Sequence, residues 1–275
     1  MAEGDSIRRL AGRLQHTYAG LPVLASEYRR GGDLPVRFTG DALTEVAAVG
    51  KHLLMRFAGG RTLHSHLRMQ GSWRTHRPGW RPRPPASGRR DVVGAWFDFG
   101  TAGVLAAHDM PVLDVVPTSR EHDVIGHLGP DILAADWPGR FPEAVANVRA
   151  AAGLPIRAAL MDQRNLCGIG NLWAVESLFI GGIFPYERSA RVDAAKLLDL
   201  THRMMVLGLR NGTQATTGDL RRGRTHWVYG RYRRPCRRCG TPIAFRAAGP
   251  GPYDRETWWC PSCQPPSPDE PAALP

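Results

Sequence analysis

Residues 155–185 read PIRAALMDQRNLCGIGNLWAVESLFIGGIFP, and the interruption in the middle of this run decides the fold. Apolar residues recur at helical spacing on both sides of it, in IRAALM and again in LWAVESLF. Pro155 can open the first helix, where its missing N–H is not needed. Gly168 and Gly170 then break the pattern, since glycine permits positive φ and close approach of another backbone. Asn171 stands where it can cap the second helix. A helix N-terminus with free N–H groups beside glycines is an anion site, so this turn is expected to clamp a phosphate. Taken alone, the same turn also fits an ordinary helix–helix connection.

Working outward, residues 135–212 keep the helical period, in PEAVANVRAAA and AAKLLDLTHRMMVLGL. The preceding region is β-rich. HLLMRF and RTLHSHL, within runs at 43–57 and 61–74, flank Ala58-Gly59-Gly60, a hairpin signal. VVGAWFDF and GVLAAHDM form a second pair around Gly100-Thr101-Ala102-Gly103, and with VLDVV they suggest a β-sandwich. HRPGWRPRPPASGRR (76–90) reads as a Pro/Arg-rich surface loop, with its arginines either solvated or in contact with a polyanion. The C-terminal PPSPDEPAALP reads as a disordered tail.

The chain has 275 residues, a formal net charge of +11, and basic residues that include only two lysines, Lys51 and Lys196. This balance favours a polyanionic partner, nucleic acid or an anionic membrane surface. No apolar stretch approaches the roughly 18 residues of a membrane span, so nucleic acid is expected and a membrane is not.

Cys236-x₂-Cys239 and Cys260-x₂-Cys263 are separated by 20 residues, the spacing of a zinc ribbon. Four thiolates close a tetrahedral shell with no open position, so one structural Cys₄ zinc site is expected, with no catalytic metal or organic cofactor. Two disulfides in a secreted module are the alternative, and the chain shows no signal peptide. Cys167 is the odd cysteine and reads as a small packed side chain. Eight arginines and no acid lie between Arg221 and Arg238, interleaved with Trp227, Tyr229 and Tyr232, so this segment is expected to bind phosphates. Arg255, five residues before Cys260, would be held rigidly enough by a zinc-fixed hairpin to grip one phosphate.

The start, MAEGDSIRRLAGRL, places two acids ahead of an amphipathic pattern of Ile7, Leu10, Ala11 and Leu14. Asp5 or Ser6 can cap this helix. Ala2 and Glu3 then lie just outside its positive end, with the α-amine of a Met-trimmed chain beside a carboxylate.

MAEGD, GKHLL (50–54), SHLRMQGSW (65–73), HLGPD (127–131), LMDQRNLCGIGN (160–171) and WVYGR…CRRCG…WWCPSCQ (227–264) together resemble the formamidopyrimidine-DNA glycosylase / endonuclease VIII family, in particular its actinobacterial endonuclease VIII-like branch. The likeness is collinear from residue 1 to about 264. It implies an α+β multidomain fold: a catalytic β-sandwich flanked by helices at 1–134, a helix-two-turn-helix domain at 135–222, a zinc ribbon at 223–266 and a tail at 267–275. The implied partner is double-stranded DNA carrying damaged bases or abasic sites, bound by a cytoplasmic, nucleoid-associated bacterial monomer. In the family the N-terminal amine left by Met removal attacks C1′ of a flipped nucleotide and displaces the base. The resulting Schiff base is an electron sink through which the strand phosphate is then eliminated. By resemblance, Glu3 is the acid that moves protons to and from the sugar, Lys51 steers the lesion nucleotide, Met69 is the wedge that fills the emptied stack, and Asn171 and Arg255 clamp phosphates.

Two departures follow. Relatives have proline where this chain has Ala2. A secondary amine gives a permanently charged iminium, whereas a primary amine gives an imine that can lose its proton and become a poorer electron sink. Base excision is therefore expected with weakened strand cleavage, on oxidised pyrimidines or on bulkier or crosslinked bases. A damage-binding protein that kept the clamp and lost the chemistry is the alternative. The second departure is at VVPTSREHD (115–123), where the arginine-bearing loop with which some relatives face the orphaned base is not evident.

Overall fold

A computed structural model of the chain describes residues 2–29, 37–82, 93–251 and 253–267. Two units emerge, one of Ala2 with residues 6–127, the other of residues 3–5 with residue 128 onward. Part of the Pro/Arg-rich stretch, 83–90, and the tail beyond 267 lie outside the described residues.

The first unit is built on α1 (Gly4–Tyr18), whose Ile7, Leu10, Ala11, Leu14 and Tyr18 are buried at the spacing of one helical face. The helix starts at Gly4, so Asp5 and Ser6 lie in its first turn and not ahead of it as the sequence suggests. Among the described residues eight strands follow: β1 (Ala25–Tyr28), β2 (Leu43–Val49), β3 (His52–Phe57), β4 (Arg61–His66), β5 (Ser72–His76), β6 (Val93–Asp98), β7 (Val104–His108) and β8 (Val112–Pro117). They form two antiparallel four-stranded sheets, ordered β1-β6-β7-β5 and β2-β3-β4-β8. The apolar run 43–57 is divided by a tight turn at Gly50 and Lys51, with Gly50 at φ 56°, so Lys51 sits in a hairpin turn.

Side chains alternate across a strand. Leu53, Met55, Phe57, Leu63 and Leu113 therefore join the core with Phe38, Phe97 and α1. The opposite face of β3, β4 and β8 carries His52, Arg56, Thr62, His64, His66 and Asp114. At its far end Arg56 donates two hydrogen bonds to Glu121, ahead of the short α2 (His122–Ile125). Arg120 pairs with Asp123 in the segment where no arginine-bearing loop was evident.

The second unit begins with α3 (Trp137–Ala150), α4 (Ile156–Met161), α5 (Asn171–Gly181) and α6 (Ala194–Arg210). Their shared core gathers Trp137, Val148, Leu160, Leu172, Trp173, Leu178 and Leu198. Helix α5 ends at Gly182, whose φ of 69° suits glycine. A two-stranded ribbon, β9 (Ala244–Arg246) with β10 (Thr257–Trp259), packs through Trp258 and Ile243 with Val175 and Phe179 of α5. Glu176, fully buried on α5, accepts hydrogen bonds from the backbone N–H groups of Trp227, Val228 and Tyr229. These three amides satisfy the charge and fasten the segment that leads into the ribbon.

Candidate nucleic-acid interface and N-terminal site

The turn that decided the fold is occupied by the chain's own N-terminus. Gly4 N–H donates to Gly168 O at 2.9 Å. Glu3, 1% exposed, accepts from Gly170 N–H at 3.0 Å, Leu172 N–H at 2.9 Å and Trp173 N–H at 3.4 Å. These donors belong to the positive end of α5, where an anion is stabilised both by hydrogen bonds and by the helix dipole. The sequence reading of this end as free for a phosphate is thus corrected, because the anion it holds is Glu3. Asn171 is also not a cap: the helix starts at Asn171, and Gly170 occupies the cap position without a side-chain bond.

Asp5 is buried beside Glu3 in the chain and accepts from Trp173 Nε1 and Gln214 Nε2, both at 2.9 Å. Burial, together with the charges of Glu3 and Glu256, pushes the Tyr229 phenol up to about 12. Ala2 is half-buried and packs on the core of the first unit.

Asn171 and the Arg255 segment are joined. Asn171 Nδ2 donates to Glu256 O at 2.7 Å, and Asn171 Oδ1 accepts from Arg157 Nη1 at 3.3 Å. Arg157, 3% exposed, also donates to Tyr253 O at 2.8 Å. Arg255 itself is exposed, on a tight turn closed by its N–H to Tyr253 O. Asn171 is therefore tied to the residue that follows Arg255, and the join is braced by an arginine, Arg157, that the sequence reading passed over.

The arginine-rich stretch 221–238 is less open than its composition suggests. Arg221 and Arg224 pair with Asp219, just upstream of the stretch. Arg231 and Arg237 donate to backbone carbonyls, and Arg238 lies over Phe179 at 4.6 Å. These five of the eight brace the fold of the segment.

Cys236, Cys239, Cys260 and Cys263 place their four sulfurs within 4.8 Å of one another. Tetrahedral zinc with Zn–S of about 2.3 Å needs sulfurs roughly 3.8 Å apart. The Cys236–Cys263 and Cys239–Cys260 Sγ separations are 3.9 and 3.5 Å, and Arg238 N–H and Cys263 N–H point at Cys236 and Cys260 sulfurs at 3.4 Å. The donor set fits a structural zinc finger. Cys167 is buried, as read from the sequence.

In the first unit, Met69, expected from the resemblance as the wedge, is 77% exposed in the β4–β5 turn. Lys51 is half-buried at the head of β3, and its charge acts on two histidines, His52 and His66, that the sequence reading did not single out. Burial, with His66, His64, His127 and Lys51 nearby, lowers His52 to about 3. Burial, with Lys51 and Arg68, lowers His66 to about 4. The alternating His64 and His66 in LHSHL, on a strand of period two, were the available signal.

The family model for the Formamidopyrimidine-DNA glycosylase N-terminal domain matches residues 1–110. A probable endonuclease 8 2 of Streptomyces coelicolor is 40% identical over 96% of this chain and 94% of its own length. The DNA-(apurinic or apyrimidinic site) lyase Nei2 of Mycolicibacterium smegmatis is 34% identical over 96% of this chain and 99% of its own. The chain belongs to the formamidopyrimidine-DNA glycosylase / endonuclease VIII family. A solved member, the formamidopyrimidine-DNA glycosylase of Lactococcus lactis bound to DNA containing an abasic site, superposes with a TM-score of 0.78 at 21% identity. It covers 96% of this chain and 99% of its own, so the family fold extends along nearly all of both. Among the described residues of this family member, no helix is long and apolar enough to cross a membrane.

Proposed function

We propose that this protein is a DNA repair glycosylase with AP lyase activity that uses the α-amine of Ala2 as nucleophile, once Met1 is removed. Relatives named endonuclease 8 and apurinic/apyrimidinic-site lyase match 96% of the chain, which supports DNA with damaged bases or abasic sites as its partner. The observation that carries the reading is the grip on Glu3. Three backbone donors fix a carboxylate one residue from the N-terminal amine, at the positive end of a helix. An anion so placed can take the proton that the amine must lose and can face the cationic sugar that forms as the base departs.

The neutral amine of Ala2 attacks C1′, and the C1′–N bond breaks with its electron pair leaving on the base, which takes up a proton. The C1′–O4′ bond then opens with its electron pair on O4′, which takes up the second amine proton, and the imine is left. Loss of a C2′ proton then expels the 3′ phosphate by β-elimination. The iminium form is the better electron sink, and a primary amine leaves that form open to deprotonation, so strand cleavage lags behind base release. In this reading Lys51 steers the lesion nucleotide and Met69 fills the gap it leaves. Asn171 and Arg255 hold phosphates, and one zinc per chain on Cys236, Cys239, Cys260 and Cys263 keeps the ribbon folded.

Borohydride reduction during reaction with abasic-site duplex tests this. The expected product is a covalent adduct on the N-terminal peptide of a chain whose mass confirms Ala2 as the first residue. No adduct and no excised base from such a chain would leave a damage-binding protein.

A further inference from the structure

His52 on β3, His64 on β4 and Asp114 on β8 share the face of the second sheet that turns away from the apolar core. His64 is directly opposite Asp114 and diagonal to His52. His52 Nδ1 and His64 Nε2 are 2.8 Å apart, and His64 Nδ1 lies 3.3 Å from an Asp114 carboxylate oxygen.

The hydrogens in this chain have one consistent placement. The Asp114 carboxylate only accepts, so His64 Nδ1 carries a hydrogen. A neutral His64 then offers the lone pair of Nε2, which accepts from His52 Nδ1–H and leaves a lone pair on His52 Nε2. The reverse order would aim a His64 lone pair at the Asp114 oxygen. Burial holds His64 below its ordinary value against the pull of Asp114, which keeps the ring neutral. His66 is fixed independently, since Arg68 N–H donates to its Nδ1 at 3.1 Å and its hydrogen is left on Nε2. The remaining charged and titratable neighbours are Lys51 and His127 around His52, His127 at His64, and Lys51 and Arg68 at His66.

Lys51 precedes His52 in the chain, and its charge acts on the rings of both His52 and His66. We propose that Asp114, His64 and His52 form a relay that fixes the tautomer of His52, with Nε2 unprotonated, and through that neutral ring orders the adjoining Lys51. His52 is a positioning residue in this arrangement. Lys51 meets the DNA, so the functional side of the inference rests on the reading proposed above. The relay transfers no net proton; it fixes tautomers and a direction.

The full-length protein carries only two lysines, Lys51 and Lys196, so lysine-¹⁵N labelling resolves the Lys51 ammonium from a single companion. Histidine-¹⁵N spectra should place hydrogen on Nδ1 of both His52 and His64. Asp114→Leu and His52→Phe should each shift the Lys51 signal and leave Lys196 unmoved. Asp114→Asn, whose amide oxygen still accepts from His64, should restore it. Under single turnover on abasic-site duplex, Asp114→Leu and His52→Phe should each slow the reaction by about tenfold, and the double variant no further. Affinity for undamaged duplex should hold. Hydrogen found only on Nε2 of His64, or a Lys51 signal indifferent to Asp114→Leu, overturns the relay. A wild-type chain that leaves abasic-site DNA intact removes the functional reading instead, and the Lys51 signal still decides the relay.

Discussion

The carboxylate of Glu3 fills the space that a Cβ on residue 170 would occupy, with Oε1 only 2.6 Å from that position. Glycine at 170 is therefore required by a residue 167 positions away in the chain. Gly170→Ala should push Glu3 off its three donors and leave a buried carboxylate poorly paired, at a cost of about 1–3 kcal/mol in stability. Base release should fall by about a hundredfold, because the acid moves relative to the amine. Single-turnover excision with a thermal melt checks both. A variant that excises at the wild-type rate would separate Glu3 from the chemistry.

The ribbon depends on its metal. Its core around the cysteines is small, with Val228, Ile243 and Trp258 packed on α5. Metal analysis should return about one zinc per chain, and a strong chelator should unfold residues from about 235 onward and abolish DNA binding. Retained duplex affinity after the metal is stripped would count against a structural role.

The phosphate clamp makes a prediction about salt. Arg255→Ala should weaken binding to damaged and undamaged duplex alike and reduce the slope of log K against log salt by about one. Asn171→Ala should weaken binding in the same uniform way, and Arg157→Ala should follow it, since Arg157 holds both Asn171 and the carbonyl of Tyr253. A change confined to lesion preference in any of these variants would place that residue at the base and not at the backbone.

The sandwich strands, the helical region and the cysteine ribbon were legible because each is a local pattern: alternation, a 3.6-residue period, a thiolate spacing. Glu3 at the mouth of α5 was not, since no local rule says which of two anions, a DNA phosphate or the chain's own carboxylate, fills a helix N-terminus. The resemblance pointed to Glu3 as an acid, but the three amides that hold it lie at 170, 172 and 173. The basic stretch misled for a related reason. Charge counting sees Arg231 and Arg237 as free cations, while the fold uses their planar heads to satisfy carbonyls in a segment with little regular structure.

The histidine cluster makes stability depend on pH. His52 and His66 sit near 3 and 4 in the fold, against about 6.5 in an unfolded chain. Between those values the unfolded state binds the protons, so stability rises with pH across this window and is lost as pH falls from about 6.5 toward 4. The slope is at most about 1.4 kcal/mol per pH unit for each proton taken up. Denaturant midpoints at several pH values should show the decline, and His52→Phe should flatten it. An unchanged slope in that variant would mean that His52 is already charged in the native protein.

The last prediction concerns Ala2, where the family resemblance leads to an expected proline. If its amine is the nucleophile, Ala2→Pro should raise strand cleavage relative to base release, because the iminium formed by a secondary amine has no N–H to lose and stays charged. Acetylating the N-terminus, or leaving one extra residue ahead of Ala2, should abolish borohydride trapping, since one residue displaces the amine by about 3.8 Å. Duplex affinity should survive either change, as the proposed clamp residues lie at 171 and 255. Glu3→Gln keeps an acceptor on the α5 amides and removes the proton carrier, so it should suppress base release while the amine remains free. Lys51 is the competing amine, and an adduct mapped there would move the nucleophile to the β2–β3 turn. Trapping that persists undiminished on an acetylated chain would have the same meaning.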